Sequence, residues 1–352
     1  MEHIIKILVD RYKHIRSIRQ LKCVSKSKYA FVGIGSHSSN NLYPVLSYLH
    51  VPLKYICCNS QDKLKLIEAA YPGVHATTSL DEILQDEEVK GVFVSVSPKA
   101  HFSIASKVIK SGKALFVEKP PCQSLEELLQ LIKIRREAGF PIVTVGLQKR
   151  SAPTIRILKK KLRKTGGEMS YNLRYLTGAY PEGEALLELF IHPLDYVTFL
   201  FGESEVKCVE QIGGHTLLIM LRHAKASGIL ELSTGYSWND AIENLVVNTH
   251  KGVYEMMQMD RLTFKTKQAV LMGVPLEKLH PCKVTSVDLF NRNNYVPTLQ
   301  NNQVVTQGYF DTVRNFVCSV ERQANHAVQN LEELTDTYLL METIRSQIKK
   351  KQ

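Results

Sequence analysis

Between residues 28 and 146, short apolar runs alternate with longer segments whose apolar positions recur at helical spacing. Residues 29–32 read as a buried strand entering a glycine turn, and 41–49 as the helix that follows. Further strands are expected over 53–58, 91–95, 114–117 and 141–145, with helices over 61–70, 79–84, 101–111 and 124–138. Ser79 suits a helix N-cap, and Gly112 a C-terminal stop. Strands separated by single helices require right-handed crossovers. The expected product is a doubly wound parallel sheet of the α/β class.

After Gly146 the pattern changes. Strand-like runs at 169–175, 208–212, 216–221, 227–234, 242–248 and 252–257 follow one another with no helix between most of them. That arrangement predicts an α+β unit built on a large, mainly antiparallel open sheet. Residues 310–349 read as helical, with Glu332 and Glu333 opening one helix and Lys349–Lys351 closing it, as the helix dipole favours. Three parts are therefore expected: a helical leader over 1–27, a parallel-sheet α/β domain over 28–146, and an α+β domain with the C-terminal helices over 147–352. The leader carries a stripe at Ile4, Ile5, Leu8, Val9, Tyr12 and Ile15.

With 352 residues the chain is long enough for two cores, and no apolar run approaches the roughly 20 residues that cross a bilayer. The N-terminus carries acids and lacks a small-residue cleavage site, so a secretory signal is not expected. Seven scattered cysteines without metal-ligand spacing read as reduced thiols in a cytoplasmic protein, and no metal site is expected. The net charge of +11 raises the question of nucleic acid. Much of it sits in residues 1–28, where eight Lys or Arg face two acids. It reads as solvated helix faces, with an anionic substrate as the alternative.

Three segments carry chemistry. Gly33-Ile34-Gly35-Ser36-His37-Ser38 follows a strand and precedes a helix, as a pyrophosphate-binding turn requires, with Ser38 at the third glycine position. Val117-Glu118-Lys119-Pro120-Pro121 places a lysine between a buried strand and two prolines. Glu188 and His192 stand at i,i+4, which on a helix would put a carboxylate and an imidazole on one face. In that order and spacing, from about residue 28 to near the C-terminus, the chain resembles the Gfo/Idh/MocA family of NAD(P)-dependent oxidoreductases.

The resemblance implies a Rossmann domain and hydride transfer between nicotinamide and a carbinol or carbonyl carbon of a sugar, nucleotide sugar, polyol or related small molecule. By the same resemblance Lys119 and His192 carry the proton chemistry, with Glu188 as support, and Glu118, Lys119 and Pro120 border the nicotinamide. Ser97, Pro98 and His101 match the family's segment after the fourth strand, and Arg150 its basic residue entering the second domain. Asp195 is a candidate to orient His192. The second strand ends in Cys57-Cys58-Asn59-Ser60, without the acid that reads an adenosine ribose 2′-hydroxyl. Asn59 and Ser60 are placed to bind a 2′-phosphate, with Lys63 or Lys65 supplying charge, which favours NADP(H) over NAD(H). A homodimer or homotetramer is implied, with no nucleic-acid or membrane partner. Two alternatives stand beside the dehydrogenase: an imine reductase, and a non-catalytic dinucleotide-sensing regulator on the same fold.

Overall fold

The computed structural model describes residues 2–21, 25–279, 285–293, 302–324 and 329–351. A long helix, α1 (Glu2–Leu21), leads into β1 (Lys28–Val32), β2 (Leu53–Cys57), β3 (His75–Thr77), β4 (Val89–Val94), β5 (Ala114–Val117) and β6 (Val143–Val145). These six strands form one parallel sheet in the order β3-β2-β1-β4-β5-β6. The order reverses between β1 and β4, and a crevice opens outside the carboxyl ends at such a point. β1, β4 and β5 are apolar along nearly their whole length because both faces are covered.

The helices between them are α2 (Tyr43–Tyr48), α3 (Leu64–Ala70), α4 (Leu80–Gln85), α5 (Pro98–Lys110) and α6 (Leu125–Glu137). A π-helical turn at Ser38–Leu42 runs directly into α2, so the chain turns helical several residues before the pattern predicts. Ser79 and Ser124 cap α4 and α6 by accepting hydrogen bonds from the N–H groups of Glu82 and Glu127.

α7 (Pro153–Thr165) leads to β7 (Met169–Leu176), then α8 (Ala185–Glu188) and α9 (Ile191–Phe201). The second sheet continues with β8 (Ser204–Ile212), β9 (Thr216–His223), β10 (Ala226–Ser233), β11 (Ile242–Thr249), β12 (Gly252–Met257) and β13 (Arg261–Thr266). A small hairpin, β14 (Val270–Leu271) and β15 (Val274–Pro275), and the short helix α10 (Leu276–Leu279) precede the last strand, β16 (Ser286–Asn291). The eight strands of the large sheet run β16-β13-β12-β11-β7-β10-β9-β8, antiparallel except for the β7–β10 pair.

One face of this sheet packs on helices, and the other carries Arg174, Met220, Ile229, Glu231 and Met257 into solvent. α11 (Gln303–Thr306) and α12 (Tyr309–Arg322) return to the first sheet, where Phe316 packs on Tyr29, Phe93 and Phe116. α13 (Thr335–Lys351) lies against β8, α9 and α6. Among the described residues no helix is long and apolar enough to cross a membrane.

Candidate active site

The glycine turn forms where β1 must stop. Gly33 has φ +107°, and a Cβ there would lie 2.0 Å from the Ser95 carbonyl oxygen, so only glycine fits between β1 and the loop after β4. Gly35 is the opposite case: a Cβ would meet nothing within 4 Å, because its backbone faces open space. The Ser38 hydroxyl accepts from the Gly35 N–H and donates to the Gly35 carbonyl, each at 3.0 Å, tightening the turn at the position of the missing third glycine. Together these residues wall a cleft of about 410 Å³, lined by Gly33, Ile34, Gly35, Ser36, His37, Ser38, Cys58, Asn59, Ser60, Lys63, Ser95 and Ser97. An open glycine backbone at a helix start, joined to a polar second-strand end, fits a dinucleotide. A larger surface groove of about 940 Å³ beside Glu168, Asn248 and Lys265 shares no lining residue with this cleft.

At the end of β2, Cys58 stands where an acid would meet the ribose, and its thiol points to the Ser60 carbonyl at 3.3 Å. Lys63 lines the cleft, whereas Lys65 is not among its lining residues.

Lys119 follows β5, and its peptide bond to Pro120 is cis. Its ammonium donates to the Glu188 carbonyl at 2.5 Å, which joins the end of the first sheet to the α8–α9 corner. Burial lowers the Lys119 pKa from its ordinary value; Glu118 and Glu188 oppose that shift, and Lys149 adds to it. The Glu118 carboxylate is 4% exposed, and its Oε1 has no hydrogen-bond partner among the described residues. Gly146 makes room for it, since a Cβ there would lie 2.7 Å from that oxygen. Its other oxygen, Oε2, accepts from the Lys119 N–H at 3.2 Å and lies 3.5 Å from His37 Nε2.

Glu188 and His192 meet differently from the expectation. α8 ends at Glu188 and α9 begins at Ile191, so a break at Leu189 and Phe190 separates them and they do not share one helical face. Lys119 links the two: its ammonium holds the Glu188 carbonyl, and its charge acts on His192. Tyr180 donates to Glu188 Oε2 at 2.8 Å, and burial followed by that carboxylate pushes the phenol up to about 12, so it keeps its proton. His192 is 7% exposed with Nδ1 unpartnered among the described residues. Burial first, then the charges of Lys119, Lys149 and His37, hold its pKa well below the ordinary imidazole range. It is a neutral imidazole beside a cation.

Three expected roles are corrected. Arg150 does not face the cofactor cleft: its guanidinium pairs with the Asp195 carboxylate at 2.6 and 2.8 Å and with Glu333 at 2.7 Å. Burial opposes the charge, but Asp195 and Glu333 together prevail, so the arginine pKa is raised. Asp195 is thereby engaged with Arg150, with the Thr337 hydroxyl 3.3 Å away, instead of orienting His192. A guanidinium and a carboxylate this deeply buried have no cheaper arrangement than each other. His101 is also turned inward. Its Nε2 accepts from the Val96 N–H at 3.4 Å, so Nδ1 carries the proton and donates to the Pro120 carbonyl at 2.7 Å. It ties the cleft wall to the lysine motif, opposite the side on which Ser97 and Pro98 open α5.

Sequence reasoning names Lys149 only as the neighbour of Arg150 in a basic pair, and it misses Glu243, His37 and Tyr309 as members of the cluster. Lys149 lies 2.7 Å from both carboxylate oxygens of Glu243, with the Tyr175 ring 4.7 Å away. Burial pulls this ammonium down, but Glu243 and Tyr175 prevail and its pKa is raised. The Tyr309 ring meets His37 at a 60° tilt, ring centroids 5.8 Å apart, and its phenol is raised by burial and then by Glu118. Only the placement of a lysine beside Arg150 hinted at this; Glu243 and Tyr309 come from distant strands and helices.

Residues 27–147 match the model of the Gfo/Idh/MocA oxidoreductase family, NAD-binding Rossmann fold. That segment belongs to the family, and over nearly its full length the chain has the fold of the family's solved structures. An inositol 2-dehydrogenase/D-chiro-inositol 3-dehydrogenase of Lactiplantibacillus plantarum is 25% identical over 188 residues, 51% of this chain and 53% of its own. The aligned stretches span about half the length of the curated relatives matched. A Gfo/Idh/MocA oxidoreductase from Vibrio cholerae superposes with a TM-score of 0.72 at 17% identity, covering 93% of this chain and 99% of that one. Levoglucosan dehydrogenase in complex with NADH gives 0.76 at 14% identity, covering 92% and 97%.

Proposed function

We propose that this chain is an NAD(P)-dependent oxidoreductase that moves hydride between nicotinamide and a carbinol or carbonyl carbon of a sugar, nucleotide sugar, polyol or related small molecule. Residues 28–146 would hold the dinucleotide, and residues 147–352 the substrate and the dimer contact. The observation that carries the reading is the meeting of Lys119, Glu188 and His192 at the sheet's carboxyl end, next to the glycine-turn cleft. Family membership of residues 27–147 and the inositol and levoglucosan dehydrogenases among the relatives and structural neighbours support it.

When bound, nicotinamide supplies or accepts the hydride. The protein's own residues manage the proton. In the oxidising direction the substrate hydroxyl gives its proton to the Lys119 amine, whose lowered pKa makes the neutral form accessible. His192, neutral and with an unpartnered Nδ1, would donate a hydrogen bond from that nitrogen to the same oxygen, which stabilises it as its proton leaves. Glu188 fixes Lys119 through its backbone carbonyl, while Tyr180 fixes its carboxylate. In the reducing direction the Lys119 ammonium returns the proton.

NADP(H) is preferred in this reading, because Cys58 removes the carboxylate that would repel a 2′-phosphate while Asn59, Ser60 and Lys63 line the pocket. The family description and the NADH-bound neighbour leave NAD(H) as the competitor. The test is to mix purified protein with NADPH or NADH and a panel of keto-sugars and ketocyclitols. Cofactor oxidation that disappears in Lys119→Ala is the expected result. Cofactor binding with no Lys119-dependent oxidation would instead favour a dinucleotide sensor.

A further inference from the structure

Beyond the reacting residues lies an aromatic surface for which the proton chemistry has no use. Trp238, the chain's single tryptophan, is 52% exposed although it is large and apolar. Its indole N–H donates to the Ala179 carbonyl at 2.9 Å. The ring lies so close over Gly178 that a Cβ there would be 2.3 Å from Trp238 Cδ1, so the glycine is what lets the indole sit down on the backbone. Tyr180 is next to it, ring centroids 6.5 Å apart, and the Tyr180 hydroxyl reaches Glu188 Oε2 at 2.8 Å. The Glu188 carbonyl in turn accepts from Lys119 at 2.5 Å. A continuous line of contacts therefore joins an exposed, immobilised indole to the candidate proton carrier.

We propose that Trp238 and Tyr180 form a stacking ledge that receives a saccharide or cyclitol ring of the substrate. This rests on the dehydrogenase reading and names the chemistry of its substrate. A sugar ring has one face of C–H groups and a rim of hydroxyls. The indole and phenol rings offer the polarisable apolar wall for the first, and the Tyr180 hydroxyl with the Glu188 carboxylate it bonds offers a polar end for the second. Holding the ring in place before the ligand arrives removes much of the ordering cost of binding.

Tryptophan emission reads the ledge directly, because no other tryptophan contributes. The full chain, saturated with NADP⁺, is titrated with methyl glucopyranoside, with myo-inositol and, separately, with UMP. The proposal expects a saturable change in emission with at least one of the ring polyols and none with UMP. A response to UMP alone would assign the ledge to a nucleobase and overturn the proposal, as would silence with all three probes. With a turned-over substrate, Trp238→Ala should raise KM about tenfold with kcat near the parent value, and Trp238→Phe should recover most of the loss. An unchanged KM in Trp238→Ala also overturns it. The emission titration needs no turnover, so it decides the ledge even where hydride transfer itself is not found.

Discussion

At the scale of single residues, the site is governed by what burial does to charge. Lys119 and His192 both lose solvent, and for both the neutral form gains. For His192 this has a consequence for stability. Its folded pKa is below that of the unfolded chain, near 6.5, so above that range neither state binds the proton and no penalty exists. As pH falls through it, the unfolded chain takes up a proton that the folded site resists, and stability is lost. His101 and His223, also lowered by burial, act in the same direction. The melting temperature should therefore fall between pH 7 and pH 5, and His192→Gln should lose less over that interval than the parent. An equal loss in both would remove His192 from the explanation. A second residue-level prediction concerns Cys58. Cys58→Asp introduces a carboxylate where a 2′-phosphate would lie, and should shift the NADPH-to-NADH preference by about tenfold or more toward NADH in binding titrations.

At the scale of elements, regular strands and helices were legible and the joints were not. β5 and β12 run over the residues that the pattern predicts, and α6 starts one residue after the predicted start, Ser124, which caps it. β3 has three residues and leaves no alternation to detect. The Glu188–His192 spacing suggested one helix, but Leu189 and Phe190 break it, at the corner where Lys119 donates to the Glu188 carbonyl. Arg150 is expected at the cofactor only because it matches the basic residue with which the family enters its second domain. Its partner Asp195 is 45 residues away and is revealed only by packing. That pair belongs to α9 and the turn before α7, and truncating one side leaves the other buried alone. Arg150→Met should destabilise the protein by about 3–5 kcal/mol in denaturant unfolding, with loss of fold outweighing any specific loss of dinucleotide affinity.

At the scale of the molecule, the two sheets divide the work. The first ends in a crevice whose glycine turn, second-strand end and lysine motif could all be named from sequence, since each is a local signal. The second supplies Glu243, which only contacts between distant segments reveal, while Glu188 and His192, on the corner leading from β7 into α9, are named from sequence by spacing and resemblance. Its outer face also bears on assembly. Ile229 and Met220 are paired across β10 and β9, 50% and 46% exposed, with the Arg174–Glu231 ion pair beside them. Such a face is expected to be covered by a second copy. Light scattering should report a dimer, and Ile229→Glu should shift it toward monomer without unfolding it. A parent that is monomeric at micromolar concentration would contradict the dimer.

The central claim is that the Lys119 amine works beside a hydride-transferring nicotinamide, and isotope transfer tests it most directly. Cofactor deuterated at the donating ring carbon is incubated with the protein and the keto-compound panel, and products are analysed by mass. The account predicts deuterium at the new carbinol carbon, with Lys119→Ala slowing its appearance by about a hundredfold or more while dinucleotide binding persists. Dinucleotide that never binds, or label transferred equally well without Lys119, would contradict it.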